Sequence, residues 1–413
     1  MKPQILVLGA GMVGTCTALH LQARGFEAVL VDRKSPGQET SYGNSGIIQQ
    51  ESVEPYAMPR DAGFLLQSVL GLRPEIHWHA NALLPVLPAL WSYFHHSAPT
   101  KHALITQAYS KLIAHATREH QPFITQSNSE DLIQRQGFRF IYRTDKAFDT
   151  GTKRAQKLLR NYGVRSCIQD SKSIALAEPA LQQHVAGAIH WLDPWSVSDP
   201  GALVQRYAKY FDAQGGHVIL GDAKTLRQQG SGWQVNTAEG SISAPQVVLA
   251  LGPWSHQLVK RMGYNFPLFI KRGYHQHYDQ PKNIKLTLLD AENGFVLAPM
   301  QQGIRLTTGA EFAKLDAAPT PVQLQKTESI ARALLGLDQV HRSPPWLGSR
   351  PCTADMLPII GAAPNHKGLW FNFGHGHQGF TLGPVSGRLL AELISKESTV
   401  VDAKPYSPLR FAS

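Results

Sequence analysis

The sequence predicts an α/β fold in two domains, one assembled from three separated stretches of chain and the other, a mixed-sheet α+β domain, filling the gaps between them. Three observations predict it. A strand, a glycine turn, a helix and a second strand ending in an acid follow one another within the first 32 residues. A helical pattern over 199–212 gives way at Gly215-Gly216 to strand patterns that continue to residue 250. A second glycine turn, at 374–381, again leads into a helical pattern near the far end.

The first unit opens with Ile5-Leu6-Val7-Leu8, a short apolar run of strand type, followed by Gly9-Ala10-Gly11-Met12-Val13-Gly14 and by the helical composition of Thr15 to Arg24. Gly9 permits a tight turn, Gly11 lets backbone approach a pyrophosphate, and Gly14 lets the helix pack closely on the strand. The helix N-terminus is then left with free N–H groups aimed at negative charge. Gly25 ends the helix, and a second strand, Ala28 to Val31, finishes at Asp32, where a carboxylate reaches a ribose hydroxyl pair and repels a 2′-phosphate. This Rossmann-like order leaves NAD and FAD as candidates. The loop that follows, Glu39 to Ile48, is small, polar and glycine-rich; it suits backbone donation to a flavin, and taken alone it also reads as a surface turn.

The apolar stretch Ile5 to Leu21 is interrupted by Gly9, Gly11 and Gly14, so it reads as strand and helix rather than as a secretion signal. Composition narrows the class further. With 43% hydrophobic and 17% charged residues the chain is not of disordered type. Cys16, Cys167 and Cys352 stand far apart with no CxxC or Cys/His pairing, which implies neither a disulfide framework nor a zinc site and suits a reduced, cytoplasmic setting. The formal charge of +10 admits nucleic acid, anionic lipid or an acidic substrate, but no dense basic run or aromatic-interleaved patch supports nucleic acid.

Toward the end, Trp346 to Asp355 precedes the apolar Leu357 to Gly361 and the strand pattern Leu369 to Phe373. Gly374-His375-Gly376-His377-Gln378-Gly379-Phe380-Thr381 then leads into Leu382, Val385, Leu389, Leu390 and Leu393 at helical spacing, a second helix N-terminus behind a glycine turn. The paired histidines point apart and lack a sequence-adjacent third ligand, so they read as packing groups and not as a metal site.

With these segments together the chain resembles the D-amino-acid oxidase superfamily of flavoproteins, and within it the bacterial D-amino-acid dehydrogenases. The resemblance rests on the N-terminal turn with Asp32, on ETSYGNSG at 39–46, VVLALGPWS at 247–255, GSRP at 348–351 and GHGHQGFT at 374–381. It implies FAD bound noncovalently, with Gly9, Gly11, Met12, Val13, Gly14, Asp32, Arg33 and Lys34 at the ADP half. The flavin side would be formed by Ser41, Asn44, Ser45, Gly46 and Ile47 from the loop, Gly252 and Trp254 from the middle segment, and Gly376, His377, Gln378, Gly379, Phe380 and Thr381 from the second turn. Arg350 would fork onto the substrate carboxylate, with Arg272 and Tyr274 on a strand facing the flavin, and Tyr56 as a lid residue. Cys352 is out of register with the covalent flavin attachment of sarcosine oxidases and reads as a buried small side chain; His277 and Tyr278 suit either the pocket or ordinary strand polarity.

The implied reaction oxidises a small D-amino acid, or a D-imino acid such as D-proline or hydroxyproline, by hydride transfer from Cα to flavin N5. The imine hydrolyses to a 2-oxo acid, and the electrons go to a quinone or another acceptor that is not oxygen. Two rivals stand beside it: an oxygen-using glycine or sarcosine-type amine oxidase, and a flavin-bearing subunit or RNA-modification module. The patterns place the FAD-binding domain at 1–65, 196–265 and 342–413 and the substrate-binding domain at 66–195 and 266–341. Residues 64–95, with Phe64, Leu65, Leu66, Val69, Leu70, Trp78, Leu83, Leu84 and Trp91, are apolar enough for a core helix pair or for a surface resting on the inner face of a cell membrane.

Overall fold

The computed structural model describes residues 4–69, 76–279, 284–337 and 344–411. The apolar strand Gln4–Leu8 is central in an eight-stranded sheet, pairing in parallel with Glu27–Asp32 on one side and Gln246–Leu249 on the other. His217–Gln229 extends the sheet beyond Glu27–Asp32, and Leu369–Phe373 extends it beyond Gln246–Leu249, both in parallel. Antiparallel strands Gly232–Thr237 with Gly240–Ala244, and Ile359–Ala362, complete the two edges. The strand pattern that continues to residue 250 is interrupted at Pro245, which has no N–H for a ladder, so Gly240–Ala244 and Gln246–Leu249 are separate strands.

Helices Met12–Gln22, Pro200–Ala213 and Gly379–Ser395 bury apolar faces in the core beside this sheet. Asp199 caps Pro200–Ala213 by accepting a hydrogen bond from the Ala202 N–H, and Pro200 begins it. Helix Met12–Gln22 starts three residues before the sequence pattern indicated, because the turn contributes its last residues to the first helical turn. It packs unusually close to Gly379–Ser395: a Cβ at Gly383 would lie 2.6 Å from the Met12 Cγ, and one at Gly387 2.8 Å from the Thr17 nitrogen. Both helix N-termini are thereby brought to the same edge of the sheet.

The second sheet has ten strands and carries its own core. Its ordered path runs Ile76–Trp78, Ala310–Phe312, Leu268–Tyr278, Gly303–Thr307, Phe295–Met300, Leu288–Asp290, Phe138–Tyr142, Gly187–Trp191 and Ser166–Asp170. Strand-type patterns in the sequence at 285–289 and 304–308 correspond to Leu288–Asp290 and Gly303–Thr307. Trp346–Thr353 pairs antiparallel with Leu268–Tyr278. The stretch 342–413 therefore serves both sheets, and its early strand, assigned by sequence to the nucleotide domain, belongs to the other. A small three-stranded sheet joins Ile47–Ile48, Trp195–Val197 and Ile133–Gln134.

Helices Ala62–Val69 and Ala80–His96 occupy the apolar segment. Ala89, Leu90 and Tyr93 are buried against Phe269 and Phe312, whereas Leu66, Leu84, Leu87 and Trp91 are exposed. The segment is thus both core and surface. Leu70 and the side chains of Phe64, Val69 and Leu83 lie outside the described residues.

Candidate active site

A cavity of about 1180 Å³ runs from the carboxyl edge of the first sheet to the second sheet. At its first end, Gly9 has φ +111°, and a Cβ there would sit 2.4 Å from the Ala250 carbonyl oxygen, so only glycine makes this turn. A Cβ at Gly14 would sit 1.8 Å from the Gly9 carbonyl oxygen, which is the close helix-to-strand approach expected of it. Gly11 is the N-cap of Met12–Gln22 and contributes no capping side chain; the Met12 N–H donates to the Ser41 hydroxyl at 3.0 Å. Gly9, Gly11, Met12, Val13, Asp32, Arg33, Gly252 and Trp254 line this end. Asp32 accepts from the Ala10 N–H at 2.6 Å and the Lys34 N–H at 3.2 Å; burial raises its pKa against the effect of those donors. The Arg33 guanidinium lies over the Trp254 ring at 4.3 Å. Lys34 departs from expectation. Its ammonium pairs with Glu39 at 3.0 Å and faces solvent, so only its backbone serves the site, by holding Asp32.

Ser41, Asn44, Ser45 and Ile47 line the middle of the cavity from one side, and Gly376, His377, Gly379 and Phe380 from the other. Gly46 does not line it. With φ +69° and a would-be Cβ 2.3 Å from the Val197 carbonyl oxygen, Gly46 turns the loop onto the small sheet. Thr381 and Gln378 also act from behind the wall. The Thr381 hydroxyl accepts from the Gln49 N–H at 3.2 Å and donates to the Ile47 carbonyl at 3.3 Å, while the Gln378 amide bonds to the Gln49 side chain. Sequence reasoning missed Arg305, which donates to the Tyr42 and Asn44 carbonyls at 2.9 and 2.6 Å and pins the glycine-rich loop to strand Gly303–Thr307. His277 bonds that arginine and Tyr278 is in the core; neither lines the cavity.

At the third end, Arg350 and Lys271 stand opposite one another in the Trp346–Thr353 and Leu268–Tyr278 pairing, and both side chains line the cavity. The Arg350 guanidinium donates to the Gly309 carbonyl at 2.7 Å and the Thr308 carbonyl at 3.2 Å. Among the described residues it has no carboxylate partner, and burial lowers its pKa. Gly273 makes room for it: a Cβ there would fall 2.5 Å from Nη2. Arg272 is corrected here. One position along a strand reverses the side chain, and Arg272 is fully buried on the other face, bonded to Glu311 at 2.6 Å and to the Lys314, Ala317 and Ala318 carbonyls. Tyr274 lines the cavity, but its hydroxyl is committed to Glu311 at 3.1 Å and to the Thr320 N–H at 2.7 Å.

Lys271 is the residue the sequence argument passed over. Strict alternation from Gly273 would have found it. Its ammonium lies 4.8 Å from the Tyr93 ring centroid, 5.4 Å from Phe269 and 5.8 Å from Phe312. Burial works against its charge, yet the Tyr93 hydroxyl and Cys352 thiol beside it outweigh burial and raise its pKa. Tyr56 is half exposed over the cavity with its ring 4.9 Å from that of His377. His377 and His375 are lowered to about 3 by burial, with Arg350 and Lys271 adding to the effect at His377. Cys352, expected to be a buried packing residue, is half-buried and lines the cavity on the Arg350 face; burial pushes its thiol up.

A family model described as FAD dependent oxidoreductase matches residues 4–393. The chain belongs to that family. As an FAD dependent oxidoreductase it is similar to a D-amino acid dehydrogenase of Paramagnetospirillum magneticum, 29% identical over 99% of each chain. It is also similar to a D-amino-acid oxidase of Bradyrhizobium diazoefficiens, 27% identical over 98% of each. Its fold matches the crystal structure of glycine oxidase from Geobacillus kaustophilus with a TM-score of 0.74 at 21% identity, over 99% of each chain.

The residues of this flavoenzyme fit FAD. The Gly11 helix terminus and Asp32 suit pyrophosphate and ribose, and the His375 Nε2 and Thr307 Oγ1, which line the cavity, are buried polar atoms without a protein partner among the described residues.

Proposed function

We propose that the protein oxidises the Cα–N bond of a small D-amino or D-imino acid and passes the electrons to a quinone. The observation that carries the reading is the Arg350 guanidinium, part-buried in the cavity wall and held by two carbonyls, with no protein carboxylate to neutralise it among the described residues. A guanidinium so placed is available to pair with a ligand anion. The names of the relatives supply the D-amino acid class.

Bound FAD, held by Gly9, Gly11, Asp32, Ser41, Asn44 and the Gly379–Ser395 helix terminus, supplies the two-electron acceptor. The chain's own part is binding and orientation. Arg350 fixes the carboxylate through two parallel hydrogen bonds, which sets rotation as well as position. Tyr56 and His377, whose rings lie 4.9 Å apart, line the same cavity and help to enclose the substrate. The amine must be neutral for its lone pair to assist departure of the Cα hydrogen with its electron pair. His377 is too weak a base to take the amine proton, whereas the positive charge of Arg350 at the carboxylate favours its loss to solvent. The imine then takes up water, giving a 2-oxo acid and ammonia from a primary amino acid and a ring-opened amino 2-oxo acid from a cyclic imino acid.

The quinone and membrane part rests on the surface. Leu84, Leu87 and Trp91 are exposed on helix Ala80–His96, and between Glu75 and Glu119 the sequence has no acidic residue. No described helix is long and apolar enough to cross a membrane, so contact would be peripheral.

The test is anaerobic bleaching of the flavin absorbance by D- and L-amino acids, glycine, sarcosine and D-hydroxyproline, followed by air. Bleaching by D-substrates with slow recovery supports the proposal; fast recovery with peroxide makes the enzyme an oxidase, and no bleaching by any of them overturns the amino-acid reading. Co-sedimentation with anionic but not neutral vesicles tests the surface.

A further inference from the structure

One carboxylate needs one guanidinium fork, and this cavity holds a second cation. Lys271 lies directly across the strand pairing from Arg350 and lines the same cavity. Among the described residues no carboxylate pairs with either side chain; the ammonium faces the Tyr93, Phe269 and Phe312 rings, the Tyr93 hydroxyl and the Cys352 thiol. The rings come from three elements, helix Ala80–His96 and strands Leu268–Tyr278 and Ala310–Phe312, so the lysine is enclosed by the second sheet and its covering helix. Two like charges side by side in a partly desolvated cavity repel one another. The middle of the cavity is lined by Ser41, Asn44 and Ile47 and by Gly376, His377 and Gly379, with Arg305 holding the glycine-rich loop from behind, so the cofactor end does not account for the second cation.

We infer that Lys271 is a specificity-determining residue that pairs with a second, side-chain carboxylate, making acidic amino acids of the aspartate and glutamate class the preferred substrates. The inference rests on the amino-acid oxidation proposed above and deepens it. Arg350 takes the α-carboxylate. Lys271, on the strand next to that of Arg350 and facing Tyr93, meets the distal carboxylate, and the aromatic walls exclude water from that ion pair. With a neutral side chain the ammonium keeps only the Tyr93 hydroxyl, so discrimination comes from the ion pair that acidic substrates alone can add.

The test uses the FAD-loaded protein and Lys271→Met and Lys271→Arg variants. Anaerobic flavin reduction is followed with D-aspartate, D-glutamate, D-alanine and D-methionine. Separately, the oxidised wild-type protein is titrated with succinate and glutarate against propionate and butyrate, reading the perturbation of the flavin spectrum, which needs no turnover. The inference expects wild type to favour the acidic substrates and the diacids. It expects Lys271→Met to weaken those on the order of 100-fold while leaving D-alanine within a few fold, and Lys271→Arg to restore part of the loss. Equal losses for D-alanine and D-aspartate would assign Lys271 to the α-carboxylate and overturn it, as would a wild type indifferent to the second carboxylate. If no amino acid reduces the flavin yet diacids still bind better than monoacids, the oxidation reading fails and the two-cation subsite stands.

Discussion

Lys271 and Arg350 occupy directly opposed positions on neighbouring antiparallel strands, and both turn into one cavity. Their neighbour Arg272, one residue along, is turned away onto Glu311. This local arrangement separates the arginine that faces the cavity from the arginine that is bonded to Glu311, and it sets how each variant should behave.

Arg350→Leu should raise the substrate concentration for half-maximal flavin reduction by about 100-fold or more, since truncating one side of a charge-assisted pair costs roughly 2–5 kcal/mol. FAD content should be unchanged. Stopped-flow reduction and the absorbance ratio of flavin to protein report the two quantities, and unaltered reduction kinetics would remove the carboxylate assignment.

Gly273→Ala tests the space behind that arginine. The added methyl would lie 2.5 Å from Nη2, and the guanidinium must leave its two carbonyls to accommodate it. The expected result is a substrate Kd weaker by about tenfold, roughly 1.4 kcal/mol, with a correctly folded, flavin-bearing protein by circular dichroism.

Arg305→Leu should act on the cofactor instead. It strips the Tyr42 and Asn44 carbonyls of their donor, at about 1–3 kcal/mol for each group left unpaired. Fluorescence titration of the apoprotein with FAD should give a Kd weakened by at least about tenfold. A Kd equal to that of wild type would mean the loop holds its shape unaided.

The pH dependence of flavin reduction should follow the substrate amine. His377, lowered to about 3, stays neutral throughout the neutral range, and reduction should become faster as pH rises until the bound amine is deprotonated. His377→Asn should keep the shape of the profile; loss of the rising limb in that variant would make the histidine a base.

Glu51 gives a stability prediction. It is buried, and that burial raises its pKa from 4.5 to about 7 against hydrogen bonds from Gln49 and Gln50. The folded state therefore holds a proton that the unfolded chain releases near pH 4.5. Its contribution is fully present below that pH and is lost as pH rises through about 7, a change of about 3 kcal/mol. Glu51→Gln should match wild type near pH 4 and exceed it in denaturant melts at pH 8; a pH-independent difference would refute the linkage.

The legible part of the molecule was the part whose signal is local. The turn at Gly9, Gly11 and Gly14, the acid at Asp32 and the second turn at Gly376 and Gly379 each demand particular residues within a few positions of chain, because backbone conformation and close approach are decided there. The residues that act from behind the wall were assigned to it too readily. Lys34, Gly46, Gln378 and Thr381 share short motifs with lining residues, and a motif does not record which way each side chain points.

Side-chain direction at the substrate end was settled only by tertiary structure. Ile270-Lys271-Arg272-Gly273-Tyr274 contains two cations in succession, and a strand sends them to opposite faces. Which face meets the cavity depends on the pairing of Leu268–Tyr278 with Trp346–Thr353, a strand some eighty residues away in sequence that the motif pattern had placed in the other domain. The sequence by itself determined the nucleotide turn and the family, and it pointed to Arg350 as a cavity residue. Only the pairing of those two strands decided that Lys271 rather than Arg272 stands beside it, because register is a property of two strands together and neither carries it alone.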